Sequence, residues 1–254
     1  MYPNRLLERL RRGEVCLGVA NTYPAPGIIE IMGRGWDFVW IDGQHGQFSY
    51  DAALNAVRAA AGIGVDSLLR VPGHEHSTLC LYADMGPMAI MVPMVNTAAE
   101  AEDVVRGLRF PPRGVRSFGG RRVADLYGRG YATESELLIV AQIETAEAAA
   151  NADAIAAVDG VDCLFFGPDD MKMSLGLPME TPITGDARLQ RAMEQTARAA
   201  QAHGRALGCV CPNAESARLA MGLGYRLLAG GGDAPFLRTQ AAARLGELRS
   251  AVGR

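Results

Sequence analysis

The stretch IDGQHGQ at 41–47 places Asp42 three residues ahead of His45, one of only four histidines in 254 residues. A carboxylate and an imidazole where an apolar run stops suit either a proton-moving pair or a structural histidine at the edge of a core. Gln142 and Glu144 close another apolar run, Asp169 and Asp170 follow the next, and Asp233 ends the last. Glu144 and Asp170 could share one divalent ion, because two carboxylates with water and a chelating ligand suit a hard octahedral cation such as Mg²⁺ or Mn²⁺. The same acids could instead cap the helices that follow them. Arg70 lies inside the run LLRVP, where a charge needs a partner. It reads as a forked donor to an oxyanion, as half of an internal salt bridge to a strand-end carboxylate, or as both.

Weaker patterns accompany these. His74 and His76 form an HxH pair, but on an extended segment the rings can point apart. His203 precedes Gly204 and reads as a helix C-terminal dipole partner. Arg116, Arg121 and Arg122, with Gly119 and Gly120, could grip a phosphate or form a solvated or subunit-contact loop. Lys172 is the only lysine among 25 basic residues, so any Schiff-base chemistry has one candidate. The five cysteines, Cys16, Cys80, Cys163, Cys209 and Cys211, contain no CxxC pair. Most lie in or beside apolar runs, as small buried hydrophobes in a reducing compartment would.

The elements that would position these residues have a rhythm of eight. Apolar runs begin at Val15, Phe38, Ser67, Met88, Leu137, Asp162, Ala206 and Arg226. They are continuous rather than alternating, which indicates strands buried on both faces of a parallel sheet. Between them lie Ala-rich stretches with helical spacing, such as SYDAALNAVRAAAG (49–62) with a stop at Gly62. NTAAEAEDVVRGLRF (96–110) carries an Asn or Thr cap and early acids. A further helix over 184–204 would be capped by Thr184 or Asp186. Strands alternating with helices, and no GxGxxG after the first strand, predict a closed (β/α)8 barrel over 1–254. Two segments exceed the repeat: a long connection at 109–136 and a terminal helical extension at 234–252. On such a barrel the strand C-termini carry the chemistry, so the residues singled out above converge on one rim.

Hydrophobic residues at 49% and charged residues at 21% allow a sizeable core, and a net charge of −3 without a basic stripe gives no nucleic-acid surface. The N-terminal segment is charged throughout, unlike a signal peptide, and no apolar run approaches the roughly 18 residues of a membrane span. A cytoplasmic protein with neither membrane nor nucleic-acid partner is the expectation.

Several motifs together resemble one family: GWDFVWIDGQHG (35–46), LLRVPG (68–73), YADMGPMAIMVPMVNTAAEAEDVV (82–105), RFPPRGVRSFG (109–119) and AQIETAEAAANADAIAAVDGVDCLFFGPDDMKMSLGLP (141–178). With DxxH, QxE and GPxD in order, the chain resembles the HpcH/HpaI class II pyruvate aldolases, near the 4-hydroxy-2-oxoheptanedioate and 2-keto-3-deoxy sugar acid aldolases. The resemblance implies a metal-dependent lyase that makes or cleaves 4-hydroxy-2-oxo acids from pyruvate and an aldehyde. It implies Mg²⁺ or Mn²⁺, with Co²⁺ or Zn²⁺ as further options, and no organic cofactor. It also implies a homohexamer, a dimer of trimers, with the C-terminal helix exchanged between subunits.

Carried onto this sequence, Glu144 and Asp170 are the metal ligands and Gln142 lies near pyruvate. Arg70 contacts the keto acid and its enolate, and backbone N–H groups around Gly167, Asp169 and Asp170 hold the carboxylate. His45, oriented by Asp42, is the general base, directly or through a water on the metal. Asp84 reaches a neighbour's site. The chemistry is coherent, since a divalent ion stabilises an enolate and an imidazole with an ordinary pKa near ~6.5 moves the proton either way. The chain departs from the family at Gln44, where Glu is frequent, and at Lys172, where Ser is usual; the GHEH loop is atypical too. A Schiff-base aldolase through Lys172, a CoA-thioester lyase using the arginines of 113–122, and a non-catalytic keto-acid or metal-binding protein are the alternatives.

Overall fold

A strand buried on both faces needs helices outside and side chains filling the inside, and the eight apolar runs meet both demands. The computed structural model describes residues 4–134 and 136–253. The strands are β1 (Cys16–Asn21), β2 (Phe38–Asp42), β3 (Asp66–Arg70), β4 (Ala89–Val92), β5 (Leu138–Ile143), β6 (Cys163–Phe166), β7 (Ala206–Val210) and β8 (Leu227–Gly232). All pair in parallel with the next, and β8 pairs with β1, closing the barrel. Each expected run carries one strand, with β3 starting one residue earlier than expected, at Asp66.

The helices are α1 (Arg5–Arg11), α2 (Pro26–Met32), α3 (Tyr50–Gly62), α4 (His76–Ala83), α5 (Ala98–Leu108), α6 (Arg121–Tyr127) and α7 (Tyr131–Glu134). They continue with α8 (Ala146–Ala150), α9 (Ala152–Ala157), α10 (Pro168–Ser174), α11 (Ala187–Ala202), α12 (Ala214–Gly222) and α13 (Asp233–Ala251). Local chemistry sets their ends. Ser49 caps α3, and Thr97 with Glu100 forms a capping box on α5. Asp186, rather than Thr184, caps α11; Thr184 lies in a short 3-10 turn instead. Helix formation along 145–160 is interrupted at Asn151, between α8 and α9, where the Asn151 side chain donates to the Asn96 carbonyl. A short polar side chain that finds a partner outside the helix competes with helical continuation. The long connection at 109–136 carries α6 and α7.

Side-chain parity divides the core into two. Val39, Ile41, Leu69, Ile90, Ile139, Leu164 and Leu228 point outward under the helices. Phe38, Trp40, Leu68, Met91, Val140, Phe165 and Leu227 point inward. Leu6, Leu7 and Leu10 of α1 join the inward set and plug the N-terminal end of the barrel. This helix was not foreseen from the sequence. Asn4 fixes it by capping Leu7 and donating to the carbonyls of Met88 and Glu136, both at 2.7 Å. The floor is therefore sealed, and a ligand enters from the C-terminal mouth.

Aromatic rings fill the barrel interior below that mouth. Trp40 meets Phe165 edge-on at 5.5 Å, and Phe38 lies beside Gly18. A Cβ on Gly208 would sit 2.4 Å from the Phe165 ring, so glycine there makes room for the aromatic floor. The barrel closes between β8 and β1 through Asp233, fully buried at the start of α13. Its carboxylate accepts from the Asn21 side chain (2.9 Å), the Thr22 hydroxyl (2.7 Å) and the N–H groups of Thr22 and Tyr23 (both 2.8 Å). Beyond it α13 is exposed along its length, including Leu237, Leu245 and Leu248.

Candidate active site

The parity that sends Phe38 and Trp40 inward also sends Asp42 inward, and the same holds for Arg70 on β3 and for Gln142 and Glu144 at the end of β5. Four polar side chains thus cap the apolar interior. All are buried, Glu144 to 1% exposure.

Asp42 and Arg70 face one another directly across β2 and β3. The guanidinium donates through Nε and Nη2 to the two carboxylate oxygens at 2.9 and 2.7 Å. Its central carbon lies 4.9 Å from the centre of the Trp40 ring, so an aromatic face supports the cation from one side. Burial works against the Asp42 charge, but the fork to Arg70 and the N–H groups of His45 and Gln44 outweigh it. The Asp42 carboxyl is held below its ordinary range. Both readings of Arg70 stay compatible, because the fork leaves Nη1 as a remaining donor.

The expected pairing of Asp42 with His45 takes a different form. Asp42 accepts the backbone N–H groups of Gln44 (3.1 Å) and His45 (3.2 Å) rather than the imidazole. It shapes the turn that carries His45 and leaves the exposed ring at the mouth. Gly46 closes this turn with its N–H on the Asp42 carbonyl, and a Cβ there would come 2.2 Å from that oxygen. Gln44, the departure from the family pattern, has its side-chain oxygen buried without a partner.

Glu144 accepts the Met94 N–H on Oε1 at 2.7 Å, while Oε2 is buried with no hydrogen-bond partner. Burial pushes this carboxyl up to about 7, with the charge of Asp170 adding to the rise and the Met94 N–H, Arg70 and the nearby Gln142 side chain opposing it. The Gln142 side-chain oxygen is also buried and unpartnered. The capping alternatives fail for both acids. Thr145, not Glu144, caps α8, and α10 begins at Gly167 without any side-chain cap. Gly167 is required by contact: a Cβ would lie 2.7 Å from Glu144 Oε2.

An unpartnered buried carboxylate oxygen, with a second carboxylate close enough to act on its charge, fits a divalent cation. Glu144 and Asp170 would hold it. No group of three or more His, Cys, Asp or Glu side chains converges among the described residues. Most positions around such a cation would therefore be left to water and substrate.

Other candidates lie elsewhere. Asp169 turns its carboxylate to Lys172 Nζ at 3.0 Å, and that amine also donates to the Met179 carbonyl. A lysine so engaged is a poor Schiff-base nucleophile. Asp84, at the end of α4, accepts from Arg116 at 2.6 Å, apart from the four buried polar residues. Asp233, read as a rim carboxylate, is the barrel clasp and has its oxygens taken. The HxH rings diverge, His74 to the Pro93 carbonyl and His76 to Asp103, which removes a metal site there. His203 at the end of α11 meets Asp153 at 3.0 Å. Arg121 pairs with Asp125 and Arg122 donates to the Met85 carbonyl, so with Arg116 on Asp84 this loop is not a phosphate grip.

Reading the sequence for acids and bases missed Trp40 beneath Arg70 and the Met94 N–H on Glu144. A tryptophan inside FVWID was visible; a main-chain donor leaves no mark in a sequence.

The family model described as HpcH/HpaI aldolase/citrate lyase matches residues 25–239. A 4-hydroxy-2-oxovalerate aldolase from Novosphingobium aromaticivorans is 41% identical over 179 residues, 68% of each chain. A hydroxypyruvate/pyruvate aldolase from Delftia acidovorans is 33% identical over 253 residues, 95% of this chain and 91% of the relative. A solved HpcH/HpaI aldolase/citrate lyase family protein from Burkholderia cenocepacia superposes with a TM-score of 0.89 at 29% identity, over 97% of this chain and 100% of that one.

Proposed function

The chain belongs to the HpcH/HpaI aldolase/citrate lyase family, and we propose that it is a metal-dependent carbon–carbon lyase that makes or cleaves 4-hydroxy-2-oxo acids. Its substrates are then pyruvate with an aldehyde, or the corresponding hydroxy-keto acid. The observation that carries this reading is Glu144 Oε2, buried and unpartnered at the mouth of a sealed barrel, within electrostatic reach of Asp170 and Arg70.

A divalent ion held by Glu144 and Asp170, Mg²⁺ or Mn²⁺ by the hardness of the oxygen donors, would supply Lewis-acid stabilisation of enolate charge. The residues of the chain do the rest. Arg70, its plane fixed by Asp42 and Trp40, offers its remaining donor to the developing oxyanion. Gln142 turns a buried amide toward the same space, and the N–H groups of Asp169 and Asp170 at the start of α10 take the substrate carboxylate. The Gly167 N–H, expected to share that role, donates to the Ile143 carbonyl at 3.0 Å instead. His45, on the turn built by Asp42, removes a proton from the pyruvate methyl group and returns it on cleavage. The sealed floor keeps bulk water from the enolate on the side away from the mouth.

We further propose that copies of this chain assemble as a homohexamer, exchange α13 and bring Asp84 to a neighbouring site. Supporting this, α13 covers little of its own barrel, while Leu17 on the outer face of β1 is 46% exposed and Ile31 of α2 is 80% exposed. A cytoplasmic location fits five free cysteines, four of them buried. Among the described residues no helix is long and apolar enough to cross a membrane.

Exchange of pyruvate C3 protons in D₂O tests the reading. Wild-type protein with Mn²⁺ should exchange, EDTA should stop it, and added Mn²⁺ or Mg²⁺ should restore it. His45→Ala should lose about 10²-fold or more. Exchange at the wild-type rate in that variant would remove His45 from its role. Exchange that survives EDTA and is trapped by borohydride would favour Lys172.

A further inference from the structure

Met94 is the only non-glycine residue among the described ones with a positive φ, +55°. A residue with a Cβ holds this left-handed conformation only where its surroundings impose it. Met94 sits just beyond β4 at the C-terminal mouth, and its N–H donates to Glu144 Oε1 at 2.7 Å. The carbonyl of the same peptide plane, that of Pro93, accepts from His74. On the other side of the turn, the Met94 carbonyl accepts from Asn96 Nδ2 at 2.9 Å.

Asn96 joins this turn to the ligand-bearing strand. Its Oδ1 accepts from the hydroxyl of Thr145, the residue after Glu144. Its carbonyl accepts from Asn151 at 2.8 Å, and its N–H donates to Glu100 at 2.7 Å. One side chain therefore spans from the carbonyl of the strained residue to the side-chain hydroxyl of the residue after Glu144.

We propose that Asn96 is a positioning residue for the metal site. By holding Met94 left-handed, it presents the Met94 N–H to Glu144 Oε1 and fixes the carboxylate so that Oε2 alone is left as the ligand. The inference rests on the metal reading of Glu144. A group that orients a ligand through hydrogen bonds typically changes metal affinity by about 10- to 100-fold when removed.

The test is Mn²⁺ binding to the full-length protein without substrate, followed by titration calorimetry and by the paramagnetic signal of free Mn²⁺. Asn96→Ala should weaken binding by about tenfold or more. Met94→Gly keeps the N–H and adopts positive φ without help, so alone it should bind like wild type. Combined with Asn96→Ala it should restore most of the lost affinity. A merely structural role for Asn96 predicts no rescue by glycine at 94.

Should Asn96→Ala fail to fold, Asn96→Asp keeps the acceptor for Thr145 and loses only the donor to Met94. Its added negative charge would by itself tighten cation binding, so weakening there, relieved by Met94→Gly, supports the inference with the opposite sign to simple electrostatics. Wild-type affinity in the asparagine variants, or no recovery with glycine, overturns the inference alone. A wild-type chain that binds neither Mn²⁺ nor Mg²⁺ overturns the metal reading and this inference with it.

Discussion

Asp42 and Arg70 show why one residue here serves both stability and chemistry. Each is buried, so removing either leaves an uncompensated charge, at a cost of about 3–5 kcal/mol. Asp42→Asn should therefore lose about 3–5 kcal/mol of unfolding free energy in urea titration at pH 7. The pH dependence has a definite sign. The folded carboxyl lies below its ordinary range, so its stabilisation is complete above about pH 4 and is lost as pH falls through the lower folded value. Urea midpoints measured between pH 2 and 7 should fall steeply at the acid end for wild type and less so for Asp42→Asn. Equal slopes would remove Asp42 from the acid transition.

Gly167 makes a prediction of another kind at the same scale. Alanine there must displace Glu144, because its Cβ would fall 2.7 Å from Oε2 and 2.8 Å from the Glu144 Cβ. Gly167→Ala should cost about 1–3 kcal/mol from overpacking and weaken Mn²⁺ binding in direct titration. Full retention of metal affinity would place the ligand elsewhere.

At the scale of elements, the β8–β1 seam depends on one carboxylate. Asp233 gathers donors from the end of β1 and from its own helix start, and each hydrogen bond to a buried charge contributes about 1.5–3 kcal/mol. Asp233→Ala should lower stability by at least about 3 kcal/mol by denaturant titration. It should also speed hydrogen exchange in β1 and β8 before the other strands. Uniform acceleration around the barrel would argue against a local clasp.

For the whole molecule, the exposed α13 and the exposed Leu17 on β1 describe one unmet need for burial. A chain ending at residue 238 keeps Asp233 and loses most of the exposed helix. In solution it should sediment as a smaller species than the full-length protein and bind more of a hydrophobic dye. An unchanged sedimentation coefficient per chain mass would show that α13 does not hold the assembly together.

Much of this molecule was legible before its fold was known. Continuous apolar runs named all eight strands, because a strand buried on both faces has no polar side to hide. The placement of Asp42, Arg70, Gln142 and Glu144 at one end of the barrel was legible because each closes an apolar run, and parallel strands end at one rim. The plug formed by α1 and the seam at Asp233 were not, since a short charged helix and a terminal aspartate read the same wherever they pack.

Sequence by itself decided where the eight strands run and that their residues face alternate sides; which alternate set enters the barrel was decided by closure of the sheet. Tertiary structure alone decided what those side chains touch. Asp42 was expected beside the His45 ring, yet register sets it opposite Arg70, and the stronger charge takes its oxygens. Two acids that could have capped helices are released because Thr145 and Gly167 occupy the cap positions. The freedom of Glu144 Oε2 depends on a left-handed methionine, a backbone angle that no residue type announces. Hydrophobic patterning is written locally, one residue at a time, whereas hydrogen-bond competition is settled only when distant strands meet.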